Sequence, residues 1–289
     1  MILVDMNQVM ISNLMASIGG HHNVEIQEDL IRHMVLNSLR TNRQKFHSEY
    51  GELVICCDDR NYWRKKLFPY YKANRKTTRQ QSELDWSMIF GVLNQIREDL
   101  RNIFPYKVIQ VDTAEADDII ATIVHEHGTV LTQTNQDKIL ILSGDKDFIQ
   151  LHTYGNVSQY DPVRKRFIKN DDPQHYLKEH IARGDRGDGV PNILSQDDCF
   201  INGRQKPLRT KFLNTVTSKT FEEIENGDDD YKTNWNRNRR MVDLSLVPQD
   251  IQDQVLEDFS EDDNTSRDKL FNYFVQNKLK NLMEHIGDF

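Results

Sequence analysis

The sequence lacks a long apolar run and a pattern of paired cysteines. A membrane-spanning helix needs about 20 consecutive apolar residues, and no stretch approaches that length, so we expect no membrane partner. The first apolar run, Ile2-Leu3-Val4, ends at Asp5, which does not fit a signal peptide. There are three cysteines, and the adjacent pair Cys56-Cys57 lies in an apolar run, which favours buried thiols in a reducing compartment. We therefore expect a cytoplasmic protein.

An excess of positive charge is also missing, since 37 Lys and Arg against 45 Asp and Glu give a net charge of −8. This balance would argue against a nucleic-acid partner only if the charges were evenly spread. No acidic residue lies between Arg60 and Arg79, and a second acid-free basic stretch runs from Arg204 to Lys211. The cations of the first segment are Arg60, Arg64, Lys65, Lys66, Lys72, Arg75, Lys76 and Arg79.

Aromatic residues are interleaved with the cations of the first basic segment. They are Tyr62, Trp63, Phe68, Tyr70 and Tyr71. Because cations bind phosphates and aromatic rings stack on exposed bases, this composition favours a site for single-stranded nucleic acid. A solvated basic helical hairpin is the alternative. The polar tract at 76–81 has little hydrophobic pattern, so a mobile loop is expected there.

Short apolar runs followed by acidic residues are the most informative pattern. Asp5 and Asp58 follow two such runs, and a third run, Ile139–Leu142, leads through a short turn to Asp145 and Asp147. Runs of this length predict strands buried on both faces. If the strands are parallel and adjacent, their acids converge at the carboxyl edge of the sheet, where open α/β folds form ligand sites. Asp145 or Asp147 could equally cap the helix that follows.

Two further acidic groups extend this pattern. The predicted helix AEADDIIATIV has three acids near its start, Glu115, Asp117 and Asp118. This is more negative charge than is needed to complement the helix dipole. Asp185 and Asp188 lie in a glycine-rich turn that exposes backbone groups to ions or phosphates. Crowded carboxylates raise each other's pKa. Mg²⁺ or Mn²⁺ would relieve this repulsion, and two ions about 4 Å apart suit phosphodiester hydrolysis.

The pattern of apolar runs predicts an α/β fold, with a mostly parallel central sheet flanked by helices and a smaller C-terminal helical domain. We place the α/β domain at 1–170, including the basic segment 60–81, and the helical domain at 171–289. Predicted helices span 6–18, 24–46, 86–104, 173–182, 206–219, 239–244, 250–258 and 268–286, and a hairpin pairs 157–160 with 166–168.

Five motifs, in order, resemble the 5′-nuclease (flap endonuclease) superfamily, whose fold is related to PIN domains. They are LVDMNQ, CCDDRNYWRKKLFPYYKANR, AEADDIIA, ILSGDKDFIQL and IARGDRGDGVP. Within this superfamily the sequence is most similar to the RNase H group of T-even-type bacteriophages, and the likeness extends through KLFNYFVQNKLKNLMEHIGDF at the end of the chain. It therefore covers essentially the whole sequence.

The resemblance implies a role for each matched position. The first metal would be held by Asp5, Asp58, Glu115, Asp117 and Asp145, and the second by Asp147, Asp185 and Asp188, with Asp145 shared and Asp118 orienting ligands. Arg64 and Lys72 would contact the scissile phosphate with help from Arg75, and Asp145 would act with them in catalysis. The nucleic-acid-binding residues would be Arg64, Lys65, Lys66, Tyr70, Lys72, Arg75, Lys76, Arg79 and Arg186.

The implied activity is Mg²⁺-dependent 5′ to 3′ cleavage of RNA–DNA hybrids and 5′ flaps, removing RNA primers during lagging-strand replication. Mn²⁺ would substitute, and K⁺ would bind near the aspartate-glycine turn. A monomer in the host cytoplasm is implied, with a single-stranded-DNA-binding protein and a sliding clamp as partners. The turn departs from most relatives, because Gly189-Val190-Pro191 leads to Asn192 without a regular glycine-rich hairpin. A PIN-type ribonuclease on free RNA and a non-catalytic replication module are the alternatives.

Overall fold

The computed structural model describes residues 1–18, 27–82, 84–129, 137–261 and 266–289, without the side chains of residues 76–78. The strands are β1 (Ile2–Asp5), β2 (Leu53–Cys56), β3 (Lys107–Ile109), β4 (Ile139–Leu142), β5 (Val157–Asp161) and β6 (Arg166–Ile168). The helices are α1 (Met6–Ile18), α2 (Glu28–Tyr50), α3 (Trp63–Leu67), α4 (Ala73–Gln80), α5 (Trp86–Ile103), α6 (Ala116–His127), α7 (Pro173–Arg183), α8 (Cys199–Asn202), α9 (Thr210–Thr217), α10 (Phe221–Asn226), α11 (Lys232–Val242), α12 (Gln249–Ser260), α13 (Leu270–Gln276) and α14 (Lys280–Met283). Short 3₁₀ helices span Asp147–Thr153, Leu244–Leu246 and Ile286–Asp288.

The six strands form one sheet in the order β3-β2-β1-β4-β5-β6. All neighbouring pairs are parallel except the β5–β6 hairpin, which is antiparallel. Strands β1, β2 and β4 are buried along their whole length, as expected for parallel strands covered on both faces. The predicted mostly parallel sheet is therefore confirmed, and β1 lies between β2 and β4, so that three acid-terminated strands are neighbours.

The chain divides into two compact units that do not follow a single cut at residue 170. The sheet unit contains 1–59, 85–169 and 248–289, and the helical unit contains 60–84 and 170–247. None of the described helices is both long and apolar enough to cross a membrane.

Aromatic packing explains why the C-terminal segment joins the sheet unit rather than the helical one. The ring of Phe104 contacts those of Tyr273, Phe274 and Phe289, with centroids 5.3, 6.0 and 5.6 Å apart. Phe104, Phe274 and Phe289 are fully buried. These contacts join the end of α5 to residues more than 160 positions later, which a linear reading of composition does not detect.

The basic segment joins the helical unit because its aromatic residues belong to that unit's core. Phe68 and Tyr71 are buried with Ile181, Leu213 and Trp235. The expectation of a mobile loop at 76–81 is wrong in its secondary structure, since α4 extends through Gln80. The start of α4 is held by Asn74, whose Nδ2 donates to the carbonyl of Arg186 at 2.8 Å.

Several other helix boundaries differ from expectation. Helix α9 begins at Thr210 rather than at 206, and α2 continues to Tyr50 rather than ending at 46. Helix α11 begins at Lys232, seven residues before the predicted start at 239. The predicted helix 268–286 is divided into α13 and α14, because Lys278 adopts the left-handed conformation with φ 55°. The predicted start of α2 at residue 24 lies outside the described residues, and the described helix begins at Glu28.

Candidate active site

The acids of the sheet unit follow the carboxyl ends of its three central strands. Asp5 is the last residue of β1, Asp58 follows β2, and Asp145 lies three residues after β4. The parallel register pairs Asp5 with Cys56 and Val4 with Leu142, so all three strands end at one edge of the sheet. The convergence predicted from the apolar runs is therefore present in the structure.

Ser143 connects the acid of β1 to the acids that follow β4. Its hydroxyl donates to Asp5 Oδ2 at 2.8 Å and accepts from the amide of Asp145 at 3.0 Å. Asp145 Oδ1 in turn accepts from the amide of Asp147 at 3.0 Å. Ser143 is itself fully buried. A short hydrogen-bonded chain thus fixes Asp5, Asp145 and the following turn relative to one another.

Asp58 connects β2 to the start of α6. Its Oδ1 accepts from the amide of Ala116 at 2.8 Å, between Glu115 and Asp117. Its Oδ2 accepts from Asn7 Nδ2 at 2.7 Å, and Asn7 lies in the first turn of α1. The two acids beside Ala116 are therefore held next to Asp58 by backbone geometry. Glu115 is 1% exposed and Asp117 is half-buried.

Asp118 has a local structural role. Its Oδ2 accepts from the amide of Glu115 at 2.9 Å at the start of α6, and its side chain is completely buried. Glu115 is the N-cap residue of α6, and Asp118 is the third helical residue, whose side chain accepts from the N-cap amide in a capping box. Because the same bond fixes the backbone of Glu115, the contact also agrees with an orienting role for Asp118.

The crowding of carboxylates is visible in the electrostatics of Asp5. Burial, together with the negative charges of Asp58 and Asp145, raises the pKa of Asp5 to about 7. Hydrogen bonds from Ser143 Oγ and the amide of Gln8 act in the opposite direction without cancelling this effect. Asp58 and Asp145 are therefore both close enough to repel the charge of Asp5, as the sequence predicts.

Lys72 and Asp188 form a polar centre in the helical unit. Lys72 has φ 55°, and its amide donates to the carbonyl of Asp188 at 2.7 Å. Lys72 Nζ lies 3.6 Å from Asp188 Oδ2, and Tyr71 donates its hydroxyl to the same oxygen at 3.0 Å. Arg75 pairs with the other carboxylate oxygen. Burial alone would raise the pKa of Asp188, but Lys72, Arg75 and the Tyr71 hydroxyl hold it below its usual value.

The aspartate-glycine turn is shaped by its own acids and glycines. Asp185 Oδ1 accepts from the amide of Asp188 at 3.0 Å, and Asp185 Oδ2 lies 3.7 Å from His180 Nε2. Gly189 has φ 74°, and a Cβ at this position would lie 2.8 Å from the carbonyl oxygen of Tyr70. The turn can therefore approach the basic segment closely only with glycine at this position.

The other predicted nucleic-acid-binding residues have different degrees of exposure. Arg64 is 2% exposed, and its Nε donates to the carbonyl of Met241 at 2.9 Å within the helical unit. Tyr70 is half-buried. The side chain of Lys76 lies outside the described residues. The exposed members of the set are Lys65, Lys66, Arg75, Arg79 and Arg186.

Sequence reasoning did not identify three neutral residues that organise the acids. Ser143 donates to Asp5, and Asn7 donates to Asp58. Gln159 Nε2 donates to the carbonyl of Ser143 at 3.0 Å and so holds the loop after β4. Asn7 and Ser143 lie inside LVDMNQ and ILSGDKDFIQL, so their position in these motifs was the available signal. Gln159 comes from β5 and had no such signal.

The mostly parallel sheet, with acids gathered at its carboxyl edge, has the arrangement of an α/β fold with a candidate metal site, and the comparisons identify the family. Residues 1–181 match the model of the 5′-3′ exonuclease N-terminal resolvase-like domain. Residues 173–289 match the model of the T4 RNase H C-terminal domain. The first match covers more than half of the sequence, and the chain belongs to the 5′-3′ exonuclease family. The resemblance inferred from the five motifs is confirmed.

Individual relatives agree with this assignment. Ribonuclease H of Enterobacteria phage T4 is 27% identical over 296 residues, covering 99% of this chain and 95% of that protein. Flap endonuclease Xni of Shewanella oneidensis is 26% identical over 219 residues, covering 71% and 78%. A solved structure of the T5 5′-exonuclease with bound zinc has a TM-score of 0.62 at 19% identity, covering 89% and 97%, which shows a shared fold.

Proposed function

We propose that this chain is a Mg²⁺-dependent 5′ to 3′ nuclease that cleaves RNA–DNA hybrids and 5′ flaps, removing RNA primers during lagging-strand replication. The observation that carries the proposal is the cluster of Asp5, Asp58 and Asp145 at one sheet edge, crowded enough to raise the pKa of Asp5 to about 7. Relatives named ribonuclease H and flap endonuclease support the substrate class.

The donor set fits hard divalent cations. The acids of the sheet unit offer carboxylate oxygens only, and Mg²⁺ and Mn²⁺ select oxygen ligands. In the proposal, Asp5, Asp58, Glu115, Asp117 and Asp145 hold the first ion, while Asp147, Asp185 and Asp188 belong to the second site, with Asp145 shared. When bound, such ions would lower the pKa of the attacking water and stabilise the leaving oxygen. A K⁺ site near the aspartate-glycine turn belongs to the same proposal.

The cations of the helical unit have a separate task in this proposal. Lys72 supplies a positive charge to the scissile phosphate, and its strained backbone and its contacts with Asp188 and Tyr71 keep the ammonium group in one position. Arg75 assists from the next turn. Arg64 keeps its proposed phosphate contact, and its bond to the carbonyl of Met241 also joins α3 to α11 within the helical unit.

The exposed cations of the basic segment would hold the 5′ single strand. Lys65, Lys66 and Arg79 are exposed, as is Arg186 of the aspartate-glycine turn, and the half-buried Tyr70 would add an aromatic ring for stacking. Lys76 is included through the resemblance. A monomer in the cytoplasm, with a single-stranded-DNA-binding protein and a sliding clamp as partners, completes the proposal.

Cleavage of matched substrates tests the proposal. A 5′-labelled RNA–DNA hybrid and a 5′-flap duplex should both release short 5′ products with Mg²⁺ and none with a chelator. Cleavage of free RNA alone would favour a PIN-type ribonuclease, and no cleavage would favour a non-catalytic module.

Asp145→Asn should lose cleavage and retain DNA binding, while Asp112→Asn, which removes the same charge from an exposed site, should behave as wild type. Equal loss of binding in Asp145→Asn would mean that Asp145 is structural.

A further inference from the structure

One glutamine is completely buried inside the sheet unit, although glutamine is usually found at protein surfaces. Gln159 lies in the middle of β5, between β4 and β6. Burying an amide group is unfavourable unless its donors and its acceptor form hydrogen bonds, and an apolar side chain would fill this place without that requirement. The partners of Gln159 therefore indicate what its side chain does here.

The amide nitrogen of Gln159 holds the turn that leads from β4 to the acids. Its Nε2 donates to the carbonyl of Ser143 at 3.0 Å and also to the carbonyl of Asp145. The amide of Ser143 donates to the carbonyl of Tyr160, the next residue of β5, at 3.1 Å. The turn is therefore hydrogen-bonded to β5 on both sides of Gly144.

His152 determines which way the amide group of Gln159 points. Its Nε2 lies 2.9 Å from Gln159 Oε1. Because carbonyl oxygens only accept hydrogen bonds, the amide nitrogen must face Ser143 and Asp145, and Oε1 then accepts from His152. Burial lowers the pKa of His152, and the hydrogen bond with Gln159 opposes this effect without cancelling it. The ring is therefore neutral near neutral pH, with its proton on Nε2.

The turn held in this way connects the acids of two strands. Ser143 Oγ donates to Asp5 Oδ2 and accepts from the amide of Asp145, whose Oδ1 accepts from the amide of Asp147. A change in the backbone of the turn would therefore move these carboxylates relative to one another. Groups that orient metal ligands indirectly typically change metal affinity or activity by about 10–100-fold when they are replaced.

We infer that Gln159 and His152 are positioning residues, which hold the turn 143–145 so that Asp5 and Asp145 are in place before a divalent metal ion binds. They act through the backbone of the turn, since Gln159 has no surface exposed to a substrate. The inference rests on the proposed function for the role of the metal, but the hold on the turn can be measured without metal or nucleic acid.

Two pairs of variants separate positioning from packing. Gln159→Met keeps the length of the side chain and removes both donors, and the control Phe274→Leu reduces packing elsewhere in the sheet unit. His152→Leu removes the donor to Gln159 Oε1, whereas His152→Gln supplies an amide N–H in its place. The histidine pair leaves Gln159 intact and so tests the inference even if Gln159→Met does not fold.

Hydrogen exchange of the segment 143–147, measured by mass spectrometry in chelator, reports the hold on the turn. Exchange should be several-fold faster in Gln159→Met and His152→Leu than in wild type, because each lost hydrogen bond raises the population of the open turn about fivefold. It should be unchanged in Phe274→Leu and His152→Gln. Calorimetric titration with Mn²⁺, without nucleic acid, should show an affinity about tenfold or more lower in Gln159→Met and His152→Leu, and near that of wild type in the other two.

Each outcome supports or overturns a stated part of the inference. Wild-type exchange in Gln159→Met would overturn the hold on the turn, and faster exchange with unchanged Mn²⁺ affinity would overturn the positioning of the acids for a metal. Equal changes in Phe274→Leu would overturn both, because a general loss of stability would then explain them. If His152→Gln is as impaired as His152→Leu, the role assigned to the histidine proton is wrong. If wild type binds no Mn²⁺, the proposed function fails, while the exchange measurements still decide whether the pair holds the turn.

Discussion

Replacing Asp5 by asparagine should remove activity and make the metal-free protein more stable. Asp5 is 4% exposed, and burial with the charges of Asp58 and Asp145 raises its pKa from 3.8 to about 7. A group whose pKa is higher in the folded protein destabilises the fold as pH rises from its unfolded value to its folded value. An asparagine side chain at this position cannot ionise, so this destabilisation is absent in the variant.

The magnitude follows from the shift. About 3 pKa units at about 1.4 kcal/mol each give about 4 kcal/mol of destabilisation by Asp5 above pH 7. Asparagine loses one of the two hydrogen bonds accepted from Ser143 and Gln8, which costs about 1 kcal/mol. The variant should therefore be more stable than wild type by about 3 kcal/mol at pH 8.

Urea unfolding in chelator at several pH values measures this difference. Below about pH 4, Asp5 is protonated in both folded and unfolded chains, so only the hydrogen-bond loss remains. The advantage of Asp5→Asn should grow between about pH 4 and 7 and then stay constant. A variant that is less stable than wild type at pH 8, or a difference independent of pH, would refute the electrostatic crowding on which the metal site is argued. Adding Mg²⁺ should stabilise wild type more than the variant.

Two further variants test the helical unit and the C-terminal segment. Asp188→Asn should lower kcat as Lys72→Ala does, because Asp188 fixes the position of Lys72. The double variant should then be little worse than either single variant. If Asp188→Asn instead mainly raises the Mg²⁺ concentration needed for cleavage, the principal role of Asp188 is metal binding. Phe104→Ala should lower the free energy of unfolding by about 3–5 kcal/mol, because it removes a fully buried ring that contacts Tyr273, Phe274 and Phe289. A loss below about 1 kcal/mol in chemical denaturation would contradict this packing.

The sequence alone determined the strands and the acids that follow them. Apolar runs such as Ile139–Leu142 can be buried on both faces only within a covered parallel sheet, so their length and composition fixed their structure. Parallel neighbours then bring Asp5, Asp58 and Asp145 to one edge, which is why the acidic cluster could be predicted without coordinates.

Only the tertiary structure decided which partner each charged side chain has. Lys72 and Asp188 are 116 positions apart, and Arg64 donates to a carbonyl 177 positions later. Phe104 and Phe289 are also far apart in the sequence, and the contact between their rings places the end of the chain in the sheet unit. Such contacts depend on how whole elements pack, whereas periodicity and composition report only the neighbours of a residue along the chain.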